Sequence, residues 1–331
     1  MTRKPRAPGG TSAPIGAGLP GFLTPMKALG VTAIPETPGW HLEIKYDGYR
    51  ALAAVDGPAV ELWSRNELSL SDDYPEIVAA LRRRRFRATL LDGEIVALDA
   101  EGRSRFQLLQ ARETGEARPP IFYYVFDVLS HRGRSVANEP IEKRRALLAK
   151  LLPAKDGVVR LSPEFSGSPQ RLLTDVRKHG LEGIVAKAAG SSYEPGRRSG
   201  AWLKCRVVNE QEFIIGGFTP PQGSRSHFGA LLLGYRDGRK LRYAGKVGTG
   251  FDDQRLAELA GLFRSRLRAK NPFDDAVPER RVRWVRPDVV CQVRFVEWTS
   301  DGRLRQPVFL GLRRDKPAAQ VVREAPATAT R

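Results

Sequence analysis

The chain has 331 residues, of which 55 are lysine or arginine and 37 are aspartate or glutamate, so its formal net charge is +18 and its pI about 10.3. Its length suggests about two domains, and its 41% of apolar residues can form cores, which excludes a wholly disordered basic protein. Two isolated cysteines exclude a disulfide framework and a four-cysteine zinc site. A folded protein this basic most often binds a polyanion, and nucleic acid is the first candidate.

Prolines, glycines and basic residues dominate residues 1–20. This composition predicts a flexible basic arm, and it lacks the apolar segment of a signal peptide. Since no run of about 18 apolar residues occurs, we expect no membrane span. Isolated cysteines are typical of a reducing compartment, so we expect a cytoplasmic protein.

Residues 21–207 are predicted to form a mixed α+β domain with antiparallel strands. The first clear strand, His41–Lys45, alternates, with Leu42 and Ile44 on one face and the polar residues on the other. The other predicted strands are Arg50–Val55, Ala59–Ser64, Thr89–Leu98, Ile121–Leu129, Val158–Leu161 and Gly183–Ala186. The predicted helices are Asp73–Arg84, Glu139–Leu152 and Ser168–His179, the last with Ser168 as its N-cap.

Residues 208–331 show short strands at close spacing, which favour a small β-barrel of the OB-fold type. This part carries 23 basic and 14 acidic residues, against 32 and 23 in residues 1–207, so its positive charge is the denser. One helix is predicted at Asp252–Ala269. The predicted strands are Phe213–Phe218, Ala230–Tyr235, Lys240–Val247, Val289–Glu297 and Val308–Leu310.

The chain has no standard phosphate-binding loop and no histidine-based metal motif. The residues best suited to catalysis lie together at the end of the first strand, in the segment Lys45-Tyr46-Asp47-Gly48-Tyr49-Arg50. Gly48 allows close backbone approach, Asp47 can orient an ammonium group, and Arg50 can grip a phosphate. Nearby cations would favour the free amine of Lys45, which makes that lysine a candidate nucleophile.

This segment resembles the K-x-D-G-x-R motif of the covalent nucleotidyltransferases, the superfamily of ATP-dependent DNA ligases, RNA ligases and mRNA capping enzymes. Six more blocks resemble that superfamily in its own order. They are Ser64-Arg65-Asn66, Asp92-Gly93-Glu94, Phe122–Asp127, Glu182–Lys187, Trp202-Leu203-Lys204 and Arg313-Arg314-Asp315-Lys316. Blocks at Ser224–Ser226, Tyr243–Phe251 and Phe309–Arg313 are similar, more narrowly, to the ligase component of bacterial ligase D, the end-joining DNA ligase.

The resemblance implies an adenylation (nucleotidyltransferase) domain at residues 21–207, followed by an OB-fold DNA-binding domain at residues 208–331. It also implies that Lys45 attacks the α-phosphate of ATP, expels pyrophosphate and forms lysyl–AMP. The AMP would pass to a DNA 5′-phosphate and be displaced by the 3′-hydroxyl across the nick. Such steps need cations and in-line positioning more than an acid–base pair.

The resemblance also assigns the binding residues. Arg50 and Arg65 would hold the ribose or phosphate end, and Lys187 and Lys204 the α-phosphate. Phe126 would stack on adenine, although its apolar strand equally allows a core aromatic. The full set of predicted ATP or AMP contacts is Glu43, Ile44, Lys45, Arg50, Arg65, Glu94, Phe126, Glu182, Lys187, Lys204 and Arg206.

Glu94 and Glu182 would hold Mg²⁺ or Mn²⁺, hard cations that prefer oxygen ligands. Arg313 and Lys316 would face pyrophosphate in the first step and move away when DNA is bound. Two positions depart from the pattern: Arg206 stands where the superfamily usually has the second lysine of K-x-K, and Glu67 where glycine commonly follows Ser-Arg-Asn. Arginine keeps the charge of lysine but not its geometry, so the role of position 206 stays open.

The leading hypothesis is a bacterial ATP-dependent DNA ligase that acts on duplex DNA with nicks or broken ends, in the cytosol or nucleoid. Ku and a separately encoded end-joining polymerase would be its protein partners. An RNA ligase or a capping-type guanylyltransferase would use the same chemistry, and a non-catalytic OB-fold protein would explain the charge but not the seven blocks. An NAD-dependent ligase is disfavoured, because this chain does not resemble those enzymes, which are longer and have a zinc-binding cysteine cluster.

Overall fold

The computed structural model describes residues 18–152, 157–207, 209–221 and 226–324. Most of the predicted basic arm, and residues 224 and 225 of the block at Ser224–Ser226, therefore lie outside the described residues. Leu19, at the end of the predicted arm, is buried in a cluster with Met26 and Trp63. No helix among the described residues is long and apolar enough to cross a membrane.

The N-terminal part contains eleven strands and four helices. The strands are β1 (Leu29–Gly30), β2 (Trp40–Lys45), β3 (Tyr49–Asp56), β4 (Ala59–Ser64), β5 (Thr89–Ala97), β6 (Ile121–His131), β7 (Arg134–Ser135), β8 (Val159–Leu161), β9 (Glu164–Phe165), β10 (Gly183–Ala188) and β11 (Trp202–Arg206). The helices are α1 (Pro75–Arg84), α2 (Phe106–Glu113), α3 (Ile141–Leu151) and α4 (Pro169–Lys178).

Two largely antiparallel sheets form this part. The first has the order β1-β11-β10-β2-β9, and the second has the order β4-β3-β5-β6-β7 with β8 beside β6. Alternation along the strands gives each sheet two different faces. One face of the first sheet is apolar and packs with α4 through residues such as Leu42, Ile184 and Val176. The other face carries charged side chains and lies against the second sheet, where Trp202 and Leu52 share a cluster.

The C-terminal part begins with β12, three residues after β11 ends at Arg206, and the predicted division after residue 207 falls between them. Its elements are β12 (Asn209–Phe218), β13 (Leu231–Asp237), β14 (Lys240–Val247), α5 (Asp253–Arg264), β15 (Leu267–Arg268), β16 (Arg283–Phe295), β17 (Glu297–Trp298), β18 (Leu304–Arg305), β19 (Val308–Leu312) and a short 3₁₀ helix, Ala318–Gln320. The main sheet has the order β14-β13-β12-β16-β15, with β19 also on β16. A hydrogen bond from Phe309 N to Thr249 O joins β19 to the chain after β14, as an OB-fold barrel requires.

The α+β prediction is confirmed, although several elements differ from those predicted. Strand β11 and the two-residue strands β1, β7, β9, β15, β17 and β18 were not predicted. Helix α1 begins at Pro75 with Tyr74 as N-cap, two residues later than predicted. Helix α5 ends at Arg264 instead of Ala269, because the following residues pair with β16 as β15. Strand β16 begins six residues earlier than predicted, and α2 was not predicted at all. In contrast, Ser168 caps α4 as expected, since its hydroxyl accepts a hydrogen bond from Arg171 N.

The two parts pack against each other through β19. Leu310 belongs to the core cluster of the second sheet, together with Tyr49 and Phe106. Leu312 on the same strand belongs to the core of the barrel. Strand β19 therefore connects the two cores, and it lies directly before the basic block that begins at Arg313.

Candidate active site

The charged face of the first sheet collects side chains from three neighbouring strands. Directly paired residues of antiparallel strands lie on the same face, and β10 pairs with β2 on one side and β11 on the other. Gly183 stands between Lys45 and Arg206, and Val185 stands between Glu43 and Lys204. The next row on this face contains His41, Lys187 and Trp202.

Lys45 forms an ion pair at the end of β2. Its Nζ lies 2.5 Å from Glu182 Oε2, and Glu182 Oε1 accepts a hydrogen bond of 3.1 Å from Arg206 Nε. Glu182 is buried and thus links the two cations at the edge of the site. All three belong to the predicted ATP contacts, but the sequence did not predict that Glu182 is the partner of Lys45.

Glycines lie next to the charged residues because the backbones there approach closely. A Cβ atom at Gly183 would lie 2.3 Å from the carbonyl oxygen of Cys205, and one at Gly48 would lie 2.2 Å from that of Ile95. Real side chains do not tolerate such distances. Glycine at these two positions lets β10 and the chain after β2 pack closely enough to bring the charged face together.

Lys204 and Arg206 share one carboxylate from the end of the described chain. Glu324 Oε2 lies 3.0 Å from Lys204 Nζ and 2.7 Å from Arg206 Nη1. Burial lowers the pKa of Lys204 to about 8, and the neighbouring Arg206 adds to the effect while Glu324 opposes it. Glu324 lies in none of the seven sequence blocks, so the sequence did not predict that it belongs to the site. Its Oε2 stands between two cations that were predicted to bind a nucleotide.

Glu43 and Lys187 are a fully enclosed pair. Lys187 Nζ lies 2.7 Å from Glu43 Oε1 and donates to the carbonyl oxygen of Phe126 at 2.9 Å. Glu43 also accepts hydrogen bonds from Arg145 and Ser162. Ile44 pairs with Ile184 of the apolar face, so its side chain is turned away from the charged face, and only its main chain lies beside the predicted nucleotide contacts.

Arg50 makes contacts that differ from its predicted use. Its guanidinium pairs with both oxygens of buried Asp92, at 3.0 and 2.6 Å, and donates to the carbonyl oxygen of Met26 at 2.6 Å. Tyr193 also donates to Asp92, at 2.7 Å. The planar fork that was predicted to hold ribose or phosphate is therefore directed at a carboxylate of the D-G-E block. In this arrangement Arg50 joins β3 to β5 and to the chain near Met26.

Phe126 lies between the two sheets. The centre of its ring is 6.0 Å from that of Trp202, edge to face, and the Arg50 guanidinium and Lys187 Nζ lie 5.3 and 4.7 Å from it. The side chain is half-buried and packs on a core cluster, which agrees with the alternative of a core aromatic. Its surroundings are nonetheless cationic, and an adenine ring stacked on Phe126 would lie beside Arg50 and Lys187.

Glu94 is half-buried, and among the described residues it has no hydrogen-bond or ion-pair partner. Burial raises its pKa to about 7. The negative charge of Glu182 also raises this pKa, while the positive charges of Lys45 and Arg50 lower it. A carboxylate that has no hydrogen-bond partner among the described residues and is close enough to feel the charge of Glu182 suits a hard divalent cation. No group of three or more potential metal ligands occurs among the described residues, so a cation here would complete its shell with substrate oxygens and water.

Asp47 does not orient Lys45, contrary to the interpretation of the motif. Its Oδ2 accepts a hydrogen bond of 3.0 Å from Phe106 N, at the first turn of α2, and its own N–H donates to Ser104 Oγ. Burial, with the neighbouring carboxylates of Glu210 and Glu182, raises the pKa of Asp47 to about 8. The acid of the K-x-D-G block therefore fixes a helix instead of the nucleophile.

Arg65 and Lys316 meet at an acid that the sequence interpretation did not assign. Glu212, on β12, accepts from Arg65 Nη2 at 2.8 Å and from Lys316 Nζ at 2.9 Å. Asn66 of the same block donates to the carbonyl oxygen of Asp315. These contacts join the Ser-Arg-Asn block to the basic block near the end of the barrel. Arg65 thus faces the C-terminal part in this arrangement of the chain.

Arg313 is buried and pairs within its own block. Its guanidinium binds both oxygens of Asp315, at 2.8 and 2.9 Å. The same group lies 5.2 Å from the ring centre of Tyr49 and 4.9 Å from that of Phe106, both in the N-terminal part. The packing of β19 therefore brings Arg313, the first residue of the basic block, against the N-terminal part.

Comparison with known proteins agrees with this architecture. A family model for the ATP dependent DNA ligase domain matches residues 25–206, and one for the ATP dependent DNA ligase C terminal region matches residues 224–316. The solved structure of a mycobacterial DNA ligase D complexed with ATP and MES superposes with a TM-score of 0.69 at 35% identity, over 91% of this chain and 98% of that one. These matches confirm the predicted pairing of a nucleotidyltransferase domain with an OB-fold domain.

Two curated relatives are much longer proteins. The chain is 40% identical over 296 residues to the multifunctional non-homologous end joining protein LigD of Pseudomonas aeruginosa. This match covers 87% of this chain and 35% of that protein. It is 37% identical over 308 residues to the multifunctional non-homologous end joining DNA repair protein LigD of Mycobacterium tuberculosis. That match covers 91% of this chain and 40% of the relative. The chain thus spans well under half the length of these relatives.

Proposed function

This chain belongs to the ATP-dependent DNA ligase family, and from that premise we propose that it seals breaks in duplex DNA through a lysyl–AMP intermediate on Lys45. The observation that supports the proposal is the contact of Glu182, directly before β10, with both Lys45 and Arg206, whose side chains share one face of the first sheet with Lys204. A nucleophilic amine next to convergent cations is what transfer of a nucleotidyl group requires.

The proposed reaction has three steps. Lys45 Nζ, as the free amine, forms a bond to the α-phosphorus of ATP while the bond to the β-phosphate oxygen breaks, and pyrophosphate leaves. An oxygen of a DNA 5′-phosphate then attacks the same phosphorus, and the lysine regains its proton as it leaves. Finally the 3′-hydroxyl attacks the activated 5′-phosphate, releasing AMP and joining the strand.

Each residue of the site has a proposed part in these steps. Lys204 and Arg206 would bind the α-phosphate in place of Glu324, whose carboxylate occupies them here. Glu182 orients the ammonium of Lys45 before the proton is lost. Glu94 and Glu182 would hold Mg²⁺ or Mn²⁺, which supplies positive charge for the phosphoryl oxygens when bound. Arg313 and Lys316 would stabilise the departing pyrophosphate.

The names of the relatives support a more specific role in non-homologous end joining. In that role the substrate would be a broken DNA end, presented by a DNA-end-binding protein of the Ku type and completed by a polymerase. Co-purification of this chain with such proteins on a linear duplex, but not on a closed circle, is the expected result. Equal recovery on both DNA forms would contradict the end-joining role.

The proposed function is tested by comparing nicked substrates. We expect the protein with ATP and Mg²⁺ or Mn²⁺ to seal a nick in a DNA duplex, and to do so faster than a nick in an RNA duplex or a break in single-stranded RNA. Faster sealing of RNA would favour the RNA ligase alternative, and transfer of GMP to an RNA end would favour a capping enzyme. Binding of DNA without any sealing would leave only the non-catalytic alternative.

The charge distribution predicts different salt dependences for DNA and nucleotide. An interface that neutralises about six phosphates loses about five orders of magnitude in affinity for each tenfold rise in salt. We expect this steep slope for a nicked duplex, because residues 208–331 hold 23 basic residues against 14 acidic ones. ATP binding uses a few enclosed charges and should change far less. Equal slopes, measured by titration at several salt concentrations, would contradict this division of the charge.

The lowered pKa of Lys204 predicts a pH dependence of nucleotide binding. Below its pKa of about 8 the side chain is charged and attracts phosphate, and above that pH the free protein must first take up a proton. The Kd of an α,β-methylene analogue of ATP should therefore rise by up to tenfold per unit above pH 8. The variant Lys204→Arg, which stays charged, should remove this rise. A flat wild-type profile up to pH 9.5 would contradict the prediction.

A further inference from the structure

We infer that Gln110 is a positioning residue that holds β19 and Arg313 against the N-terminal domain, and so sets the rate at which Lys45 is adenylylated. The inference rests on the proposed function, because it assigns the closed packing of the two domains to the first step. Gln110 belongs to none of the seven sequence blocks and lies on α2, the helix that the sequence did not predict.

The side chain of Gln110 bridges the two domains with both ends of its amide. Its Oε1 accepts a hydrogen bond of 2.9 Å from Leu312 N, and its Nε2 donates to the hydroxyl of Tyr49 at 2.8 Å. The side chain is only 4% exposed, so these bonds are shielded from water. A neutral amide is the group that can accept from one domain and donate to the other.

The fit at this contact leaves no free space. A Cβ atom at Gly311 would lie 2.5 Å from Gln110 Cγ, so β19 approaches α2 as closely as a backbone can. Leu312 pairs with Cys291 in the barrel, and its N–H points out of that pairing toward Gln110. Arg313 follows directly in the chain, where its own N–H donates to Val290 O, so the hydrogen bond at Leu312 contributes to its position.

Helix α2 connects the same contact to the nucleophile. Its first N–H, at Phe106, is held by Asp47, two residues after Lys45. Arg313 lies over the rings of Phe106 and Tyr49, one on this helix and the other the partner of Gln110. The eight-residue helix thus spans from the Lys45 block to β19. Contacts of this kind exist only while the domains are packed together, so they can stabilise only steps that occur in that arrangement.

The inference is tested with Gln110→Leu, which keeps the size of the side chain but loses the hydrogen bonds with Leu312 and Tyr49, and a longer one of 3.3 Å to Glu113 Oε2. We expect single-turnover labelling of Lys45 from α-labelled ATP to slow by about tenfold or more, since a buried N–H is left without a partner. Sealing of a nick whose 5′-phosphate already carries AMP bypasses that step and should stay within about twofold of wild type. The control Gln107→Leu makes the same change at an exposed position of the same helix and should alter neither rate.

Two further measurements keep the inference distinct from the proposed function and from a loss of folding. Hydrogen exchange at the Leu312 amide should be slow in the wild type and much faster in Gln110→Leu, whatever reaction the protein catalyses. Tyr49→Phe removes the bond that Gln110 donates to the tyrosine hydroxyl but keeps the bond from Leu312 and the ring beneath Arg313, and should give an intermediate adenylylation rate. Equal slowing of both steps, or unchanged exchange at Leu312, would overturn the inference. Failure of the wild type to form any adduct would overturn the proposed function instead.

Discussion

Replacement of Lys45 by arginine is expected to abolish transfer of α-labelled AMP from ATP to the protein. Arginine keeps the positive charge that pairs with Glu182 at 2.5 Å, but its guanidinium stays protonated and offers no free amine to attack phosphorus. Removal of a covalent nucleophile commonly costs several orders of magnitude, so the adduct should fall at least about a thousandfold, to background. Gel detection of the labelled protein in Mg²⁺ or Mn²⁺ measures the effect directly.

Two controls make the Lys45 result specific. Lys143→Arg makes the same substitution on the exposed side of α3, where the side chain is 71% accessible, and should label like the wild type. Lys45→Arg should still bind a nicked duplex, and should seal a nick that is already adenylylated, because the final step does not use the amine as a nucleophile. An undiminished adduct in Lys45→Arg would show that another residue carries the AMP.

The sequence predicted two of the three central strands of the site, because their signals are local. The strands predicted at His41–Lys45 and Gly183–Ala186 are β2 and β10, whereas β11 was quoted only as the block Trp202–Lys204 and not as a strand. Helix α2 escaped prediction for a physical reason. Its N-cap, Arg105, makes no side-chain capping bond, and the carboxylate that binds its first N–H comes from Asp47, 59 residues away. A tertiary cap leaves no signature in the neighbouring sequence.

The charge partners were the least predictable part of the site. A motif shows which cations are present but not which acid each will meet, because that choice depends on distances fixed by the whole fold. Arg50 binds Asp92, Arg65 binds Glu212, and Lys204 binds Glu324. Only the first of these acids lies in a block that the sequence analysis quoted, and there it had no assigned role. The partners therefore had to come from the structure.

Asp127→Ala is expected to cause the largest loss of stability among single substitutions near the site. Asp127 ends the aromatic block on β6, and both its oxygens pair with Arg144 of α3, at 2.8 and 3.0 Å. The two side chains are 1% and 0% exposed. Without the carboxylate a guanidinium stays buried and uncompensated, which typically costs about 3–5 kcal/mol. Urea unfolding followed by circular dichroism should show a lower midpoint in the N-terminal domain.

Two further variants distinguish the cost of a buried charge in Asp127→Ala from the loss of a contact alone. The double variant Asp127→Leu with Arg144→Met replaces the pair by apolar groups and should regain most of the lost stability, because no charge is left buried. Glu139→Ala breaks the exposed pair with Lys143 beside it and should cost less than about 1 kcal/mol. Since Phe126, next to Asp127, accepts the hydrogen bond of Lys187, the single variant should also slow adenylylation. A loss in Asp127→Ala no larger than that in Glu139→Ala would mean that water reaches Arg144 and solvates it.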